Sequence, residues 1–351
     1  MGEPPLGVSW REQVPALALA ALGVGVAARL VLLAIPPFFV TDVWYYDVQA
    51  AAHLLAGVDP YGAAYSVPAQ LATPGAERVF AYLPGVFAFL VPGDFSGARL
   101  GLVACDLVIA ASLALFGRRA GSYLAALFLL LPPTLLFSTA FLNDSLPAVA
   151  FLSVAVLLER RGQPVPGGAA MGLALASSQE AWLVFPVYLA YCARNRRLVP
   201  PLASMAVAAA VVAPFFLWNP SAFIADTIYF QFQRAAVPLL SSGPFGVNVN
   251  LSLQGVLAAA GTTAPLALRA GLALVTLGVL VWRSSRSLTY LLWGGAASAW
   301  ICLFMLAGEF YWSYLELPFV LSLFWAAPRL ESRMGLSTLK EAPATVGADP
   351  R

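Results

Sequence analysis

The sequence predicts an all-α polytopic membrane protein, and three observations support this fold class. Hydrophobic residues make up 60% of the 351 positions, charged residues only 10%, and the mean hydropathy is +0.81. Soluble domains carry about 25% charged residues. Apolar runs long enough to cross a bilayer recur along the chain, and short Arg-rich loops separate them. The net charge of only +2 argues against nucleic acid as a partner.

The first apolar segment, residues 14–38, is interpreted as an uncleaved first helix, because no small-residue cleavage site followed by a soluble region comes after it. About eight full spans are predicted in all. The other seven are 99–117, 121–138, 144–158, 199–217, 265–282, 287–307 and 313–328. Residues 1–333 then form one integral membrane domain, and the polar residues 334–351 form a disordered cytoplasmic tail.

Basic loops predict the orientation. Arg residues recur in five short loops, which the positive-inside rule places in the cytoplasm together with the N-terminus. These loops contain Arg118-Arg119, Glu159-Arg160-Arg161, Arg194 to Arg197, Arg283 to Arg286, and Arg329 to Arg333. Reversing the protein would put the basic excess outside. We therefore predict a protein of the cell membrane whose long loops, at about 39–79 and 218–264, lie on the outer face.

Two apolar stretches do not fit as single spans. Residues 167–192 lie between two loops that are both predicted to be cytoplasmic. The simplest solution is a pair of re-entrant half-helices, 167–176 and 181–192, that meet at Ser177 to Glu180. Such a break is tolerated only inside protein or beside a wet cavity. Residues 80–93 are too short for a span and suit a re-entrant or interfacial segment.

Acidic residues collect on the predicted outer side, so the chemistry is expected there. They are Asp42, Asp47, Asp59, Glu77, Asp94, Asp144, Asp226, Glu309 and Glu316. ATP and nucleotide sugars are absent from that compartment. The three cysteines lie far apart in apolar stretches without a CxxC pair, which argues against a structural disulfide or a zinc site.

The ordered motifs of the outer side resemble those of a known family. They read Asp42-Val43-Trp44-Tyr45-Tyr46, Gly57-Val58-Asp59-Pro60-Tyr61, Tyr82-Leu83-Pro84 and Phe141-Leu142-Asn143-Asp144-Ser145. In this order they resemble the GT-C superfamily of polytopic glycosyltransferases, and most of all its polyprenol-phosphate-mannose-dependent group. The resemblance covers roughly residues 15 to 235. Two family elements depart: a Gly-Gln pair is missing before Asn143, and the half-helix tip Ser178-Gln179-Glu180 lacks the family's Lys.

The resemblance implies an inverting hexosyltransferase. Such an enzyme moves a sugar, most commonly mannose, from a polyprenyl-phosphate donor to a lipid or glycan acceptor, without a nucleotide. No cofactor is expected, although some GT-C enzymes use a divalent metal. An oligosaccharyl- or phosphoglycosyl-type transferase on the same architecture is a second enzyme hypothesis, which a carboxylate-bound metal would mark; Asp42, Asp47 and Asp144 could supply its ligands, although their spacing does not require it. The missing Lys puts in doubt a phosphate contact from the half-helix tip.

Asp42 is the candidate general base. Inverting transfer needs a carboxylate near the acceptor hydroxyl, and a phosphate leaving group needs no second acid. The alternative is that Thr41 or Asp42 only caps a helix running through Trp44 to Leu55. Asp47 lies five residues later, about 140° around that helix, and is not expected to pair with Asp42.

The other candidates for substrate contacts each have a structural alternative as well. The candidates for sugar or acceptor binding are Asp47, Tyr45, Tyr46, His53, Tyr61, Asn143, Asp144, Gln179 and Glu180. Helix capping, a turn at Asp59 to Gly62, or an aromatic belt would account for most of them without a substrate. Arg234 and Arg78 are the predicted donor-phosphate ligands, with Arg269 as a fallback.

Two further hypotheses remain open from the residues. An internal ion pair of structural purpose is expected between Arg29 and Asp106, since both lie within spans. The main functional alternative is a transporter or flippase for a lipid-linked or small polar substrate. Transporters often carry paired broken helices in two repeats, and this sequence shows one broken pair and no second copy.

Overall fold

The computed structural model describes residues 15–36, 42–68, 79–90, 95–233, 239–243, 246–307 and 312–334. Within these ranges the chain is a bundle of α-helices with one antiparallel hairpin of two short strands. The helices are α1 Ala16–Ala34, α2 Asp42–Leu55, α3 Phe87–Leu90, α4 Phe95–Leu130, α5 Pro132–Leu136, α6 Leu146–Arg160, α7 Pro164–Ser177, α8 Gln179–Arg194, α9 Val199–Trp218, α10 Pro220–Ile224, α11 Phe230–Gln233, α12 Leu253–Ala259, α13 Leu266–Trp282, α14 Leu288–Leu306 and α15 Glu316–Arg333. The strands are β1 Leu240–Gly243 and β2 Gly246–Val249.

The predicted all-α membrane fold is confirmed. Among the described residues, four helices are long and apolar enough to cross a membrane, or five if a bent pair is counted as one span. The four are Ala16–Ala34, Gly97–Gly117 within α4, Val199–Trp218 and Leu288–Leu306, and the bent pair is Arg119–Leu130 with Pro132–Ala140. The remaining predicted spans fall on the shorter or more charged helices α6, α13 and α15. The strand hairpin in the second long loop was not predicted.

Helix α4 folds back on itself at its middle, although its residues are helical throughout. Arg29 of α1 donates from Nε to Asp106 and from Nη1 to the carbonyl of Leu129, each at 2.6 Å. In one straight helix these two residues would lie about 34 Å apart, too far for one guanidinium. The chain therefore reverses near Arg118-Arg119, as the sequence predicts, and Gly121 lies directly against the carbonyl of Leu113.

A second buried arginine holds the end of the first helix. Arg99 donates to the carbonyls of Thr139, at 2.6 Å, and of Ile35, at 3.1 Å. It also reaches the carbonyls of Leu33 and Leu32. The last carbonyls of a helix lack partners within the helix, and a cation there also complements the helix dipole. Arg99 thus fixes the point from which the chain enters the first outer loop.

The predicted half-helices are present as α7 and α8, with a single break at Ser178, and their re-entry into the membrane stays a prediction. On the side away from the tip, both helices of the pair contact one residue, Glu159. Its carboxylate accepts from Tyr188 at 3.1 Å, and its side chain lies beside Gly167 near the start of α7. The 14 residues of α7 span about 21 Å, less than a hydrocarbon core. The Ser178 side chain accepts from the N–H of Glu180 and caps α8.

The loop that was predicted to lie outside after the first helix contains the predicted helix and turn. The described part of the helix, α2, runs from Asp42 to Leu55. The turn follows, where Gly57 and Gly62 have φ of +71° and +74°, and Asp59 Oδ1 accepts from the N–H of Tyr61. Tyr61 is buried, and its hydroxyl donates to the carbonyl of Tyr82 at 2.8 Å. The turn is therefore fastened to the segment that precedes Pro84.

The short apolar stretch that was predicted to re-enter begins as a tight turn. Pro84–Val86 is a 3-10 turn, and the four-residue helix α3 follows it. Gly85 lies so close to Ser177 and to the carbonyl of Ala176 that a Cβ atom would clash. This stretch therefore packs directly on the tip of the α7–α8 pair.

Removing one partner of the Arg29–Asp106 pair is expected to destabilise the bundle. Arg29→Met leaves the Asp106 carboxylate buried without its cation, which costs about 3–5 kcal/mol in soluble proteins. Thermal unfolding in detergent should show a large fall in Tm for Arg29→Met and for Asp106→Leu alone. The double variant should recover part of the loss, since no charge is left unpaired. Additive losses in the double variant would contradict this interaction.

The re-entrant pair predicts that both basic loops flanking it lie on one side of the membrane. The three native cysteines are buried, so engineered ones can be read against a low background. Cysteines at Gln163 and Asn195 should react from the same side with an impermeant reagent, and a cysteine at Ala64 from the opposite side. Reaction of positions 163 and 195 from opposite sides would show a single span instead.

Candidate functional site

Four segments meet at the predicted outer end of the bundle. They are helix α2, the turn from Leu142 to Ser145, the tip of the α7–α8 pair, and the first turn of α15. The turn follows a π-helical segment, Phe137–Phe141, and Leu142 adopts a left-handed conformation with φ of +48°. Such strained backbone in a non-glycine residue often marks functional sites. Here it presents Asn143, Asp144 and Ser145 toward the tip.

Two carboxylates are oriented by this turn. Asn143 donates from Nδ2 to Glu316 Oε2 at 2.7 Å, and Ser145 donates from Oγ to Glu180 Oε1 at 2.7 Å. Both carboxylates are buried. In each, the second oxygen, Oε1 of Glu316 and Oε2 of Glu180, has no hydrogen-bond partner among the described residues. Each acid is thus held in place with one acceptor oxygen unused.

Asp47 is the most completely buried of the predicted acids. Its side chain is inaccessible, and neither carboxylate oxygen has a partner among the described residues. Burial and the negative charge of nearby Asp144 raise the pKa of Asp47 well above its usual value. A protonated Asp47 can donate a hydrogen bond where an ionised one cannot.

Asp144 is half buried and interacts electrostatically with two other acids of the site, Asp47 and Glu180. Glu316 interacts in the same way with Glu180 and with Asp106. The site therefore concentrates carboxyl groups, and Arg29, which belongs to the Asp106 ion pair, is the cation that the structure shows bonded to one of them. Among the described residues, no His, Cys, Asp or Glu groups form a set of three placed to hold a metal ion.

Both loops that were predicted to lie outside contact the tip. Gln179 donates from Nε2 to the carbonyl of Ala81 at 3.0 Å and to that of Thr227 at 3.1 Å. The N–H of Gly62 donates to Asp226 Oδ2 at 2.8 Å. The predicted site residue Gln179 therefore joins the first loop, the second loop and the half-helix tip. In this structure its NH2 group is fully occupied by the backbone.

The aromatic candidates lie on the outer helix. Tyr46 and His53 both pack against Tyr65, with ring centroids 5.8 Å and 5.5 Å apart. Tyr45 stacks edge-on with Trp44. His53 Nδ1 is buried without a partner among the described residues. Tyr61 lies apart in the apolar core, against Phe80 and Phe223, and is buried there.

Asp42 lies at the start of α2 and is partly exposed. Its Oδ1 accepts from the N–H of Val43 at 3.0 Å. It occupies a different position on the helix from the buried Asp47, in keeping with the predicted separation. Arg234 and Arg78, the predicted phosphate ligands, lie outside the described residues. The fallback Arg269 is 8% exposed and donates to the carbonyl of Leu306 at 3.0 Å.

Sequence reasoning missed two members of the site. Glu316 was counted only among the outer acids, although a carboxylate at the entry to an apolar span is costly and signals a role. Ser145 was quoted in a motif without a role, and only the fold shows that it binds Glu180. Neither contact can be read from spacing, because the partners lie 173 and 35 positions apart.

An apolar cavity of about 560 Å³ adjoins the acids. It lies between α14, the first half of α15 and the segment from Leu131 to Phe137. Trp293, Trp300 and Phe319 are among its walls, and Glu316 lines it as well. Its volume falls in the range of sites that hold drug-sized ligands.

The raised pKa of Asp47 predicts a pH dependence of stability. Below about pH 4 the carboxyl is protonated in the folded and the unfolded chain, and burial carries no charge penalty. As the pH rises toward the raised pKa of the folded chain, only the unfolded chain ionises, so stability falls by about 1.4 kcal/mol for each pH unit. Asp47→Asn should remove this loss. The Tm of both proteins in detergent between pH 4 and pH 8 measures it, with Asp59→Asn as control. Parallel curves would contradict the prediction.

Comparison with known proteins finds similarity at the level of structure. No protein-family model and no curated protein sequence matches the chain. The crystal structure of ArnT from Cupriavidus metallidurans bound to undecaprenyl phosphate is similar, with a TM-score of 0.58 and 15% sequence identity. The apo structure of the same protein gives a TM-score of 0.55 and 16% identity.

The similarity covers 90% of this chain but 60% of ArnT. The chain therefore spans less than two thirds of the length of the protein it matches. At this identity the comparison shows the fold alone. The chain therefore shares the helical membrane fold of ArnT.

Proposed function

We propose that this chain is an inverting glycosyltransferase that moves a sugar from a polyprenyl-phosphate donor to an acceptor hydroxyl on the outer face of the cell membrane. One observation carries the proposal. The helix that begins with Asp42 buries Asp47 beside Asp144, at the tip of a re-entrant helix pair. A protein that only anchors or only assembles has no need to bury carboxyl groups there.

The donor class is supported by the fold. ArnT, a GT-C glycosyltransferase, shares the fold over most of this chain and was crystallised with undecaprenyl phosphate. A lipid-linked sugar is also the donor that an outer-face enzyme can reach, since nucleotide sugars stay in the cytoplasm. Mannose is proposed as the sugar because the sequence motifs resemble those of the mannose-dependent group, and a lipid or glycan is proposed as the acceptor.

Asp42 is proposed as the base. In inverting transfer the acceptor oxygen bonds to C1 of the sugar while the bond from C1 to the phosphate oxygen breaks. The acceptor proton passes to the Asp42 carboxylate, and the lipid phosphate leaves with the bonding electrons. The start of a helix favours the ionised form that a base requires.

The buried acids are proposed to hold the substrates. Asp47, with its raised pKa, keeps a proton and can donate to a sugar oxygen, while Asp42 accepts one. Glu180 and Asp144 would form hydrogen bonds with sugar hydroxyls, with Asn143, Tyr45, Tyr46 and His53 as further contacts. Tyr61 and Gln179 support the site by packing and by backbone contacts.

The donor phosphate is assigned to Arg234 and Arg78 on the sequence alone. Arg29 and Arg99 are buried and bonded to Asp106 and to backbone carbonyls, so their charges are already used. A guanidinium suits a phosphate because it offers paired donors.

Asp42→Asn tests the mechanism. Asparagine keeps the size and much of the capping ability of aspartate but cannot take the proton. Transfer of radiolabelled sugar from a polyprenyl-phosphate donor, in membranes that contain the chain, should fall by at least about two orders of magnitude. Insertion and donor binding should be unchanged.

Asp59→Asn is the matched control in the same loop. Among the described residues its side chain accepts from the N–H of Tyr61 alone, a bond that asparagine keeps. If Asp42→Asn keeps activity while Asp47→Asn or Asp144→Asn loses it, the base lies at the latter position. If none of the three loses activity, or the unmodified chain transfers no sugar, the transporter hypothesis replaces the transferase.

A further inference from the structure

Two basic loops are joined by hydrogen bonds at the end of α8 that lies away from the tip. One loop follows α8 and contains Arg194 to Arg197, and the other follows α13 and contains Arg283 to Arg286. Asn195 donates from Nδ2 to the carbonyl of Arg286 at 3.2 Å. Arg286 donates from Nε to the carbonyl of Arg194 at 2.9 Å. Two segments that lie far apart in the sequence therefore form one surface, called here the joined loops.

The joined loops carry positive charge that the protein itself does not neutralise. Five exposed arginines contribute to it: Arg194, Arg196, Arg197, Arg283 and Arg286. Neither loop contains an acidic residue. Among the described residues, Arg197 is the one of the five that forms an ion pair, with Glu159 at 3.8 Å. The other four guanidinium groups repel one another, and an anion bound to them would relieve that repulsion.

Arg196 occupies a backbone position at which glycine would carry no strain. It follows the end of α8 with φ of +56°, in the left-handed region. The N–H of the next residue, Arg197, donates to the carbonyl of Cys192 at 2.9 Å and closes the helix end. Helix α6 ends in the same backbone pattern, and there Gly162 takes the left-handed position with φ of +71°. The turn therefore does not need the Arg196 side chain, which can be removed with the turn intact.

Apolar side chains beside the joined loops place them at the edge of the hydrocarbon region. Leu198 and Val199 are 63% and 59% exposed at the start of α9, and Trp282 is 72% exposed at the end of α13. Helix α9 is long and apolar enough to cross a membrane, and little of it is buried within the bundle. Exposed side chains on such a helix contact lipid, and tryptophan is enriched at the membrane interface. The arginines thus lie at the depth of lipid headgroups.

We propose that the joined loops bind the headgroup of an anionic phospholipid. Its phosphate accepts paired hydrogen bonds from guanidinium groups of both loops, and its acyl chains pass beside the exposed apolar side chains. A zwitterionic headgroup fits less well, because the same arginines repel its ammonium group. A free phosphate lacks the apolar contacts. The site does not rest on the proposed function, and a headgroup bound there ties α8 to α13.

Native mass spectrometry of the purified full chain in a neutral detergent tests this binding. Dioleoylphosphatidylglycerol should bind saturably and at least about tenfold more tightly than dioleoylphosphatidylcholine, because phosphatidylglycerol alone of the two has a net negative charge. It should also raise the Tm, since a ligand of the folded chain stabilises it. Glycerol 3-phosphate, which has the phosphate without acyl chains, should not displace it at millimolar concentration. Equal binding of the two lipids, or displacement by glycerol 3-phosphate, would overturn the proposal.

Arg196→Gly combined with Arg283→Gln removes two charges from the joined loops. Neither guanidinium donates a hydrogen bond within the described part of the chain, so the Tm without lipid should not fall. Affinity for phosphatidylglycerol should fall at least about tenfold, because each arginine near an anionic lipid contributes about fivefold. The control, Arg161→Gln with Arg333→Gln, removes two exposed arginines from other basic loops predicted to lie on the same face. It should keep the affinity within about twofold.

Equal losses of affinity in the two double variants would show a diffuse attraction to the whole basic face and overturn the proposal. If the first double variant lowers the Tm without lipid, Arg283→Gln alone decides. An unchanged affinity for phosphatidylglycerol in that single variant would also overturn the proposal. Sugar transfer is not part of this test, so the lipid site and the proposed reaction can fail independently.

Discussion

The buried bond between Arg29 and Asp106 is the constraint on which the arrangement of this membrane protein depends. Arg29 joins α1 to both arms of α4 at once, through the Asp106 carboxylate and the Leu129 carbonyl. A guanidinium without that partner would be very costly in an apolar bundle, so the two helices can pack in only one register. Arg99 then holds the end of α1 and thereby sets the starting point of the outer loop.

A series of contacts connects the first loop to the site. The hydroxyl of Tyr61 in the loop turn donates to the carbonyl of Tyr82, and the segment that follows packs on the half-helix tip at Gly85. Gln179 of the tip donates to backbone carbonyls of both loops. At the other end, Glu159 gathers the ends of α7 and α8. The tip is therefore held from both sides, and the carboxyl groups it brings together have little freedom to move apart.

The acids themselves are an energetic cost that the fold tolerates. Glu180 and Glu316 each have one oxygen bound by a short polar side chain and one left unused, and Asp47 has neither oxygen bound among the described residues. Unused acceptors inside a protein destabilise it unless a ligand completes them. A site of this kind suits hydroxyl-rich molecules such as sugars, because each hydroxyl contributes a donor without adding charge.

Several features could be predicted from the sequence because they depend on local residue types or on the requirements of the bilayer. Apolar length and the placement of Arg determined the helical membrane class, the reversal at Arg118-Arg119 and the broken pair at Ser178, because the bilayer imposes those requirements on any chain. The turn at Asp59 to Gly62 and the extent of α2 followed from residue type. By contrast, the pairing of Asn143 with Glu316 and of Ser145 with Glu180, the burial of Asp47 and the apolar cavity were decided only by the tertiary structure. Each depends on which helices become neighbours, and packing between distant segments leaves no periodic signal in a sequence where nearly every helix is apolar on all sides.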